Sequence, residues 1–161
     1  MSYELPGYTL PGYTPKETIF NNACTRIQRA VRHEDNCSVI IKSFATKFPS
    51  ARQRQSFLLS YDLLAKFQHP NIVKALEYAE QDGLPVIVLE DTQSIDLRQY
   101  AQQFSEQQLP IEMLLNIAIQ LADALSVVHQ AEVIHKDLHP GNMVVNPTKD
   151  GKNSGRVQII D

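Results

Sequence analysis

The sequence predicts an α+β fold, in which a small antiparallel sheet carries one helix and is followed by a mostly helical segment. Three observations predict it. Short β-branched runs separated by polar turns fill the first half of the chain. A single apolar stripe at helical spacing, Phe57, Tyr61, Leu64 and Phe67, interrupts them. A long apolar stretch from Pro110 to His129 then gives way to a Pro-Gly loop and two short strands.

Taken in order, residues 1–16 carry three Pro and two Gly, with Leu-Pro-Gly-Tyr at both 5–8 and 10–13, and read as an extended leader. Thr18 to Phe20 and Ile27 to Arg32 read as strands around the turn Asn21-Asn22-Ala23. Ser38 to Phe44 is a third, with Val39, Ile41 and Ser43 on one face and Ile40, Lys42 and Phe44 on the other. A helix from Pro49-Ser50 to about Gln68 ends at His69-Pro70-Asn71. Ile72 to Tyr78 and Pro85 to Leu89 are strands joined at Gln81-Asp82-Gly83, and Asp96 to Gln102 is a short helix. The helix from Pro110 is apolar nearly all round, with Asn116, Gln120 and Asp123 on one narrow stripe, so a buried position is expected. Strands at Met143 to Asn146 and Val157 to Ile160 follow the loop His135-Lys136-Asp137-Leu138-His139-Pro140-Gly141-Asn142, and the sequence ends at Asp161.

Composition narrows the function. With 43% apolar and 20% charged residues among 161, the chain has the makeup of a globular protein with one core. A net charge of −3 and the lack of any basic stripe interleaved with aromatics exclude general adhesion to nucleic acid or anionic membrane. Cys24 and Cys37 have no metal-ligand spacing and read as reduced thiols. The N-terminus lacks a basic segment followed by an apolar one, and Leu114 to Val128 is short and interrupted by polar residues. A cytoplasmic protein without a membrane span is expected.

Phosphoryl transfer from ATP requires few groups: a cation on the phosphates, oxygen ligands for magnesium and a carboxylate near the attacking hydroxyl. Asp137 and Asn142 lie five residues apart across a Pro-Gly turn and can supply that carboxylate and one magnesium oxygen. Asp161 follows the apolar strand Val157-Gln158-Ile159-Ile160, where a second magnesium oxygen would sit. Lys42 lies inside a β-branched strand, where a charge calls for an anionic partner. Singly, each has an ordinary reading as a snorkelling lysine or a turn aspartate; their joint order is distinctive.

That order resembles the protein-kinase family over nearly the whole chain after the leader. Val39-Ile40-Ile41-Lys42 is similar to the strand with the phosphate-binding lysine. His69-Pro70-Asn71-Ile72-Val73 resembles the link after the regulatory helix, and Leu89-Glu90-Asp91-Thr92 the gatekeeper and hinge. His135 to Asn142 resembles the catalytic loop, and Asp161 the first residue of Asp-Phe-Gly. The opening Leu-Pro-Gly-Tyr and Val-Ile-His-Lys-Asp also resemble the N-terminal kinase domain of large bacterial hybrid Ser/Thr–histidine kinases, which act in signal transduction.

The resemblance implies a kinase-like N-lobe over 17–90 and a hinge with a partial C-lobe over 91–161, with ATP and Mg²⁺ as cofactors. It implies that Lys42 grips the α- and β-phosphates, Asp137 orients the hydroxyl or accepts its proton, and Asn142 and Asp161 bind magnesium. Ile27, Ile40, Leu89 and Val144 would line the adenine slot, with the backbone of Glu90 and Thr92 at the hinge. The implied partners are a protein acceptor and the remaining lobe or domains of a longer hybrid kinase.

Four departures qualify this reading. Phe20, Asn22 and Thr25 stand where the family's three glycines would be, and side chains there obstruct amide access to phosphate. Asn22 is the mildest of the three, because Asn tolerates positive φ. Ser60 stands where the helix glutamate would face Lys42, while Asp62 lies about 200° further round. The loop carries Lys136 in place of arginine. Nothing follows Asp161, so the chain reads as a truncated fragment, inactive alone, with an apolar helix face exposed. Two other functions fit the same residues. Asp137 to Asn142, with His139 in place of the protein kinases' lysine, resembles the loop of aminoglycoside- and choline-kinase-like phosphotransferases. The missing glycines fit a non-catalytic pseudokinase scaffold.

Overall fold

The computed structural model describes residues 10–104, 108–146 and 155–160. The chain forms two compact units, one of Met1–Tyr61 with Ala75–Asp91 and one of Asp62–Lys74 with Thr92–Asp161.

The first unit is a five-stranded antiparallel sheet of β1 (Tyr13–Asn21), β2 (Thr25–Arg32), β3 (Ser38–Phe44), β4 (Ala75–Gln81) and β5 (Leu84–Glu90), in the order β1-β2-β3-β5-β4. The period-two pattern sorts its faces. Ala30, Val39, Ile41, Val86 and Val88 form the core on one side, where Leu10 and Tyr13 pack with them. Residues 10–16 therefore depart from the extended leader that their Pro and Gly content suggests. Leu10 is buried, and 13–16 belong to β1, whose Tyr13 hydroxyl donates to Glu77 Oε2 at 2.6 Å. β4 and β5 are joined at Asp82 and Gly83, both left-handed (φ 53° and 71°), as a two-residue hairpin turn requires.

Helix α1 (Ala51–Lys66) opens on a reciprocal cap: Ser50 N donates to Gln53 Oε1 and Gln53 N to Ser50 Oγ. Of its expected stripe, Phe57, Leu64 and Phe67 are buried. Phe57 packs on Phe44 at 4.7 Å between ring centroids, and Tyr61 lies 5.5 Å from Tyr78.

The second unit has a three-stranded sheet of β6 (Ile95–Asp96), β7 (Met143–Asn146) and β8 (Arg156–Ile159), in that order, with α2 (Leu97–Ala101) and α3 (Ile111–Gln130). Its core joins Tyr100, Ile117, Val145 and Val157. The strand expected from Ile72 begins only at Ala75. Ile72 and Val73 instead run alongside β8, with Val73 N donating to Ile159 O and Ile159 N to Asn71 O. The helix α3 has both the buried stripe and the exposed apolar face expected of it. Met113, Ile117, Ala124 and Val128 make one buried stripe, whereas Leu114, Leu115 and Ile119 are exposed.

Gln120, on the polar stripe of α3, ties the unit together. Its Oε1 accepts from Asn71 Nδ2 (2.7 Å) and Val157 N (3.0 Å), and its Nε2 donates to Gly155 O and Asn116 Oδ1. The next polar residue, Asp123, takes the Nε2 of His69 at 3.3 Å. At the C-terminus of α3, Glu132 N donates to His129 O and Val133 N to Val128 O. This is a Schellman closure with left-handed Glu132 (φ 60°) where glycine is usual. Among the described residues α3 is the one helix whose length and apolar composition would suit a membrane span, although the stretch 114–128 alone reads as too short. Its bonds through Gln120 are those of a helix packed in a globular unit.

Candidate functional site

Strand register brings four of the expected residues onto one face of the first sheet. Ile27 pairs with Lys42, and Ile40 pairs with Leu89, so their side chains share the face opposite the Val39 core. Lys42 is buried on β3. Its Nζ lies 3.5 Å from Ser60 Oγ on α1 and 5.7 Å from the centre of the Phe57 ring. The helix register read from the sequence is thus observed: Ser60 faces the lysine, and Asp62 is exposed. A hydroxyl gives Lys42 a dipole in place of a charge there, which is weaker orientation.

Glu90 closes β5, and the next residue, Asp91, is fixed by Arg29 Nε (2.7 Å) and Ser38 Oγ (2.6 Å). Arg29 in turn pairs with Glu17, so a chain of charged groups links β1 and β2 to the end of β5. In the second unit the Thr92 carbonyl accepts from Asn146 Nδ2 at 2.6 Å, while among the described residues its N–H is not engaged. Val144 is half-buried on β7 and pairs with Asp96 and Gln158.

The loop after α3 holds the carboxylate. Lys136 is left-handed (φ 63°), a strained conformation immediately before Asp137. Asn142 clasps Asp137 with its amide nitrogen, donating to the backbone O at 3.0 Å and to Oδ2 at 3.3 Å. His139 Nδ1 accepts from Gly141 N at 3.0 Å, which leaves the proton on Nε2, 3.8 Å from Asp137 Oδ2. A side chain at 141 would meet the His139 ring at 2.9 Å, so glycine there is what lets the ring lie over the turn. His135 Nδ1 accepts from Asp137 N at 3.4 Å; its Nε2 is buried and has no partner among the described residues. Asp161 lies outside the described residues.

Of the two residues expected to hold magnesium, Asn142 alone lies among the described residues. Because Asn142 spends its nitrogen on Asp137, its amide oxygen remains as a hard ligand of the kind magnesium takes. Among the described residues no group of three or more His, Cys, Asp or Glu is placed to hold a metal.

The β1–β2 turn differs from expectation. None of Phe20, Asn22 and Thr25 has positive φ. Asn22 acts through its side chain, Oδ1 accepting from Cys24 N (2.8 Å) and Thr25 N (2.7 Å). Sequence reasoning weighed Asn22 only for its backbone tolerance. The signal it missed was Asn two residues before a turn's end, which closes such bonds readily.

A sheet with a buried strand lysine, and a loop that clasps an aspartate with an asparagine five residues on, define a class of ATP-dependent phosphotransferases. Residues 16–161 match the family described as protein tyrosine and serine/threonine kinase, and the chain belongs to that family. It is 28% identical over 151 residues to the inhibitor of nuclear factor kappa-B kinase subunit beta of Bos taurus, a match covering 89% of this chain and 20% of the relative. It is 31% identical over 120 residues to serine/threonine-protein kinase Nek4 of Mus musculus, covering 73% and 15%. The chain thus spans a fifth or less of the length of these relatives. Solved structures share the fold. The PpkA-294 apo form has a TM-score of 0.81 at 20% identity, over 99% of this chain and 62% of that one. The kinase domain of Mycobacterium tuberculosis PknI, as a C20A_R136A double mutant, has 0.78 at 23%, over 96% and 60%.

Proposed function

We propose that this chain supplies the ATP-binding and catalytic-loop portion of an enzyme that moves the γ-phosphoryl group of ATP to a hydroxyl of a protein. The observation that carries the reading is the Asn142 clasp on Asp137, which fixes a carboxylate and presents an amide oxygen beside it. In this reading Lys42 holds the α- and β-phosphates. Ile27, Ile40 and Leu89 of the first sheet pack on the adenine, and the Glu90 carbonyl bonds its edge; Val144 and the Thr92 N–H are the second unit's candidates for the same ligand. Asn142 and Asp161 hold magnesium, which when bound supplies neutralisation of the phosphate charge. Asp137 takes the proton of the attacking hydroxyl and holds its oxygen in line with phosphorus. A cytoplasmic setting fits the free thiols of Cys24 and Cys37.

A second reading, transfer to a small-molecule hydroxyl, is favoured by one observation. His139, held by Gly141 and turned toward Asp137, replaces the lysine of protein kinases with a ring that is uncharged when Nδ1 accepts. The two readings separate when the chain, extended by the rest of a kinase domain, is assayed in parallel with a protein acceptor and an aminoglycoside. We expect phosphate on the protein and loss of that activity in Asp137→Ala. Phosphate on the aminoglycoside alone would favour the second reading, and transfer that survives Asp137→Ala would contradict both.

A further inference from the structure

The turn between β1 and β2 lies where protein kinases cover the nucleotide phosphates with a glycine-rich loop. Such loops work because consecutive backbone N–H groups converge on an anion. Each N–H has one proton, and in this chain two of them are already taken. Cys24 N and Thr25 N both donate to the carboxamide oxygen of Asn22, at 2.8 and 2.7 Å. A single oxygen bridging two successive amides is the arrangement a phosphate oxygen would make.

The rest of the turn holds this closure in place. Asn22 N donates to Thr25 O, and Ala45 N, just past the end of β3, donates to Cys24 O. Gln53 Nε2 donates to Cys24 Sγ at 3.1 Å while its Oε1 caps the start of α1. The turn is thus pinned on two sides, and its left-handed options are unused at Phe20, Asn22 and Thr25. Among the described residues, Ala23 N is the amide of the turn with no acceptor.

We infer that the Asn22 carboxamide is a built-in occupant of the phosphate-binding amides, an internal competitor that lowers this chain's affinity for the phosphates of ATP without touching its affinity for the nucleoside. The inference rests on the ATP-binding reading above. The competitor is displaceable. Asn22 is exposed, and a neutral carboxamide is a weaker acceptor than a charged phosphate oxygen. ATP can therefore open the turn, and the bonds it breaks are subtracted from those it makes.

Calorimetric titration of the 161-residue chain with magnesium-ATP and with adenosine tests this, using the native chain, Asn22→Ala and Asn22→Gly. Both substitutions remove the competing oxygen, and the alanine does so without adding glycine's freedom. ATP should bind about tenfold tighter to both variants, as expected for recovering charge-assisted amide bonds, with adenosine unchanged. Amide exchange by NMR gives a readout independent of ligand: Cys24 and Thr25 should be protected in the native chain and exchange about tenfold faster in Asn22→Ala. Adenosine binding with an ATP affinity that neither substitution moves would overturn the inference while sparing the nucleotide reading. So would equally fast exchange in the native chain and Asn22→Ala. If neither adenosine nor ATP binds any of the three, the nucleotide reading itself fails, and the inference falls with it.

Discussion

The β1–β2 turn and the loop from His135 to Asn142 are both short, exposed segments, and they match the protein-kinase pattern to different degrees. The loop retains its carboxylate, its asparagine and the bond between them, with a strained Lys136 ahead of it and a glycine that makes room for His139. The turn has lost every glycine and bonds to itself through Asn22. On the proposed reading, the loop presents its carboxylate and amide oxygen outward, whereas the turn spends its amides on its own side chain. The comparison teaches that two loops of one fold can depart from a family's pattern independently, because each is held by its own local bonds.

The largest expected effect falls on the polar hub of the second unit, the unit that carries the loop. Gln120→Leu removes bonds to Asn71, Val157, Gly155 and Asn116 at once and strands buried donors. Urea unfolding should show a loss of about 3 kcal/mol, since unsatisfied buried polar groups cost more than the bonds they replace. Protection of the first sheet's amides should be unchanged by comparison. A loss spread evenly over both units would break the distinction drawn here.

The next effect sharpens the account of the phosphate side. With Ser60 3.5 Å from Lys42, Ser60→Glu places a carboxylate against the ammonium and should tighten ATP binding. A double-mutant cycle with Lys42→Ala should give a coupling of about 1 kcal/mol, while Asp62→Ala should do little. Zero coupling would mean that orientation of Lys42 does not limit binding.

The smallest is a pH effect confined to the first unit. Burial, together with the hydrogen bond to Glu77, pushes the Tyr13 phenol up to about 12 from its usual 10.0. Its protonated form is favoured in the folded state. That stabilisation is therefore fully present below pH 10 and is lost as pH rises through about 12. Alkaline unfolding followed by fluorescence should show this dependence, and Tyr13→Phe should flatten it.

Much of the fold was legible because it follows from period. The strand register on β3 and the stripe on α1 with Ser60 facing inward follow from local spacing, and the loop from His135 to Asn142 was legible through its resemblance to the protein-kinase pattern. What was illegible depended on distant partners. Ile72 and Val73 look like the start of a strand, yet they pair beside β8, which lies far along the chain. Residues 10–13 look like a loose leader because of Pro11 and Gly12, yet Leu10 and Tyr13 complete the core of the sheet. Asn22 was visible as a residue but not as an acceptor, since side-chain closure of a turn needs geometry that composition does not carry.

The most direct test of the central claim, that the metal-side loop is kept while the phosphate-side turn is closed, is an ATP titration of the chain with and without magnesium. The account predicts a Kd weaker than about 1 μM, near −8 kcal/mol, that depends on magnesium and loses that dependence in Asn142→Ala. Binding tighter than this and indifferent to magnesium would contradict it.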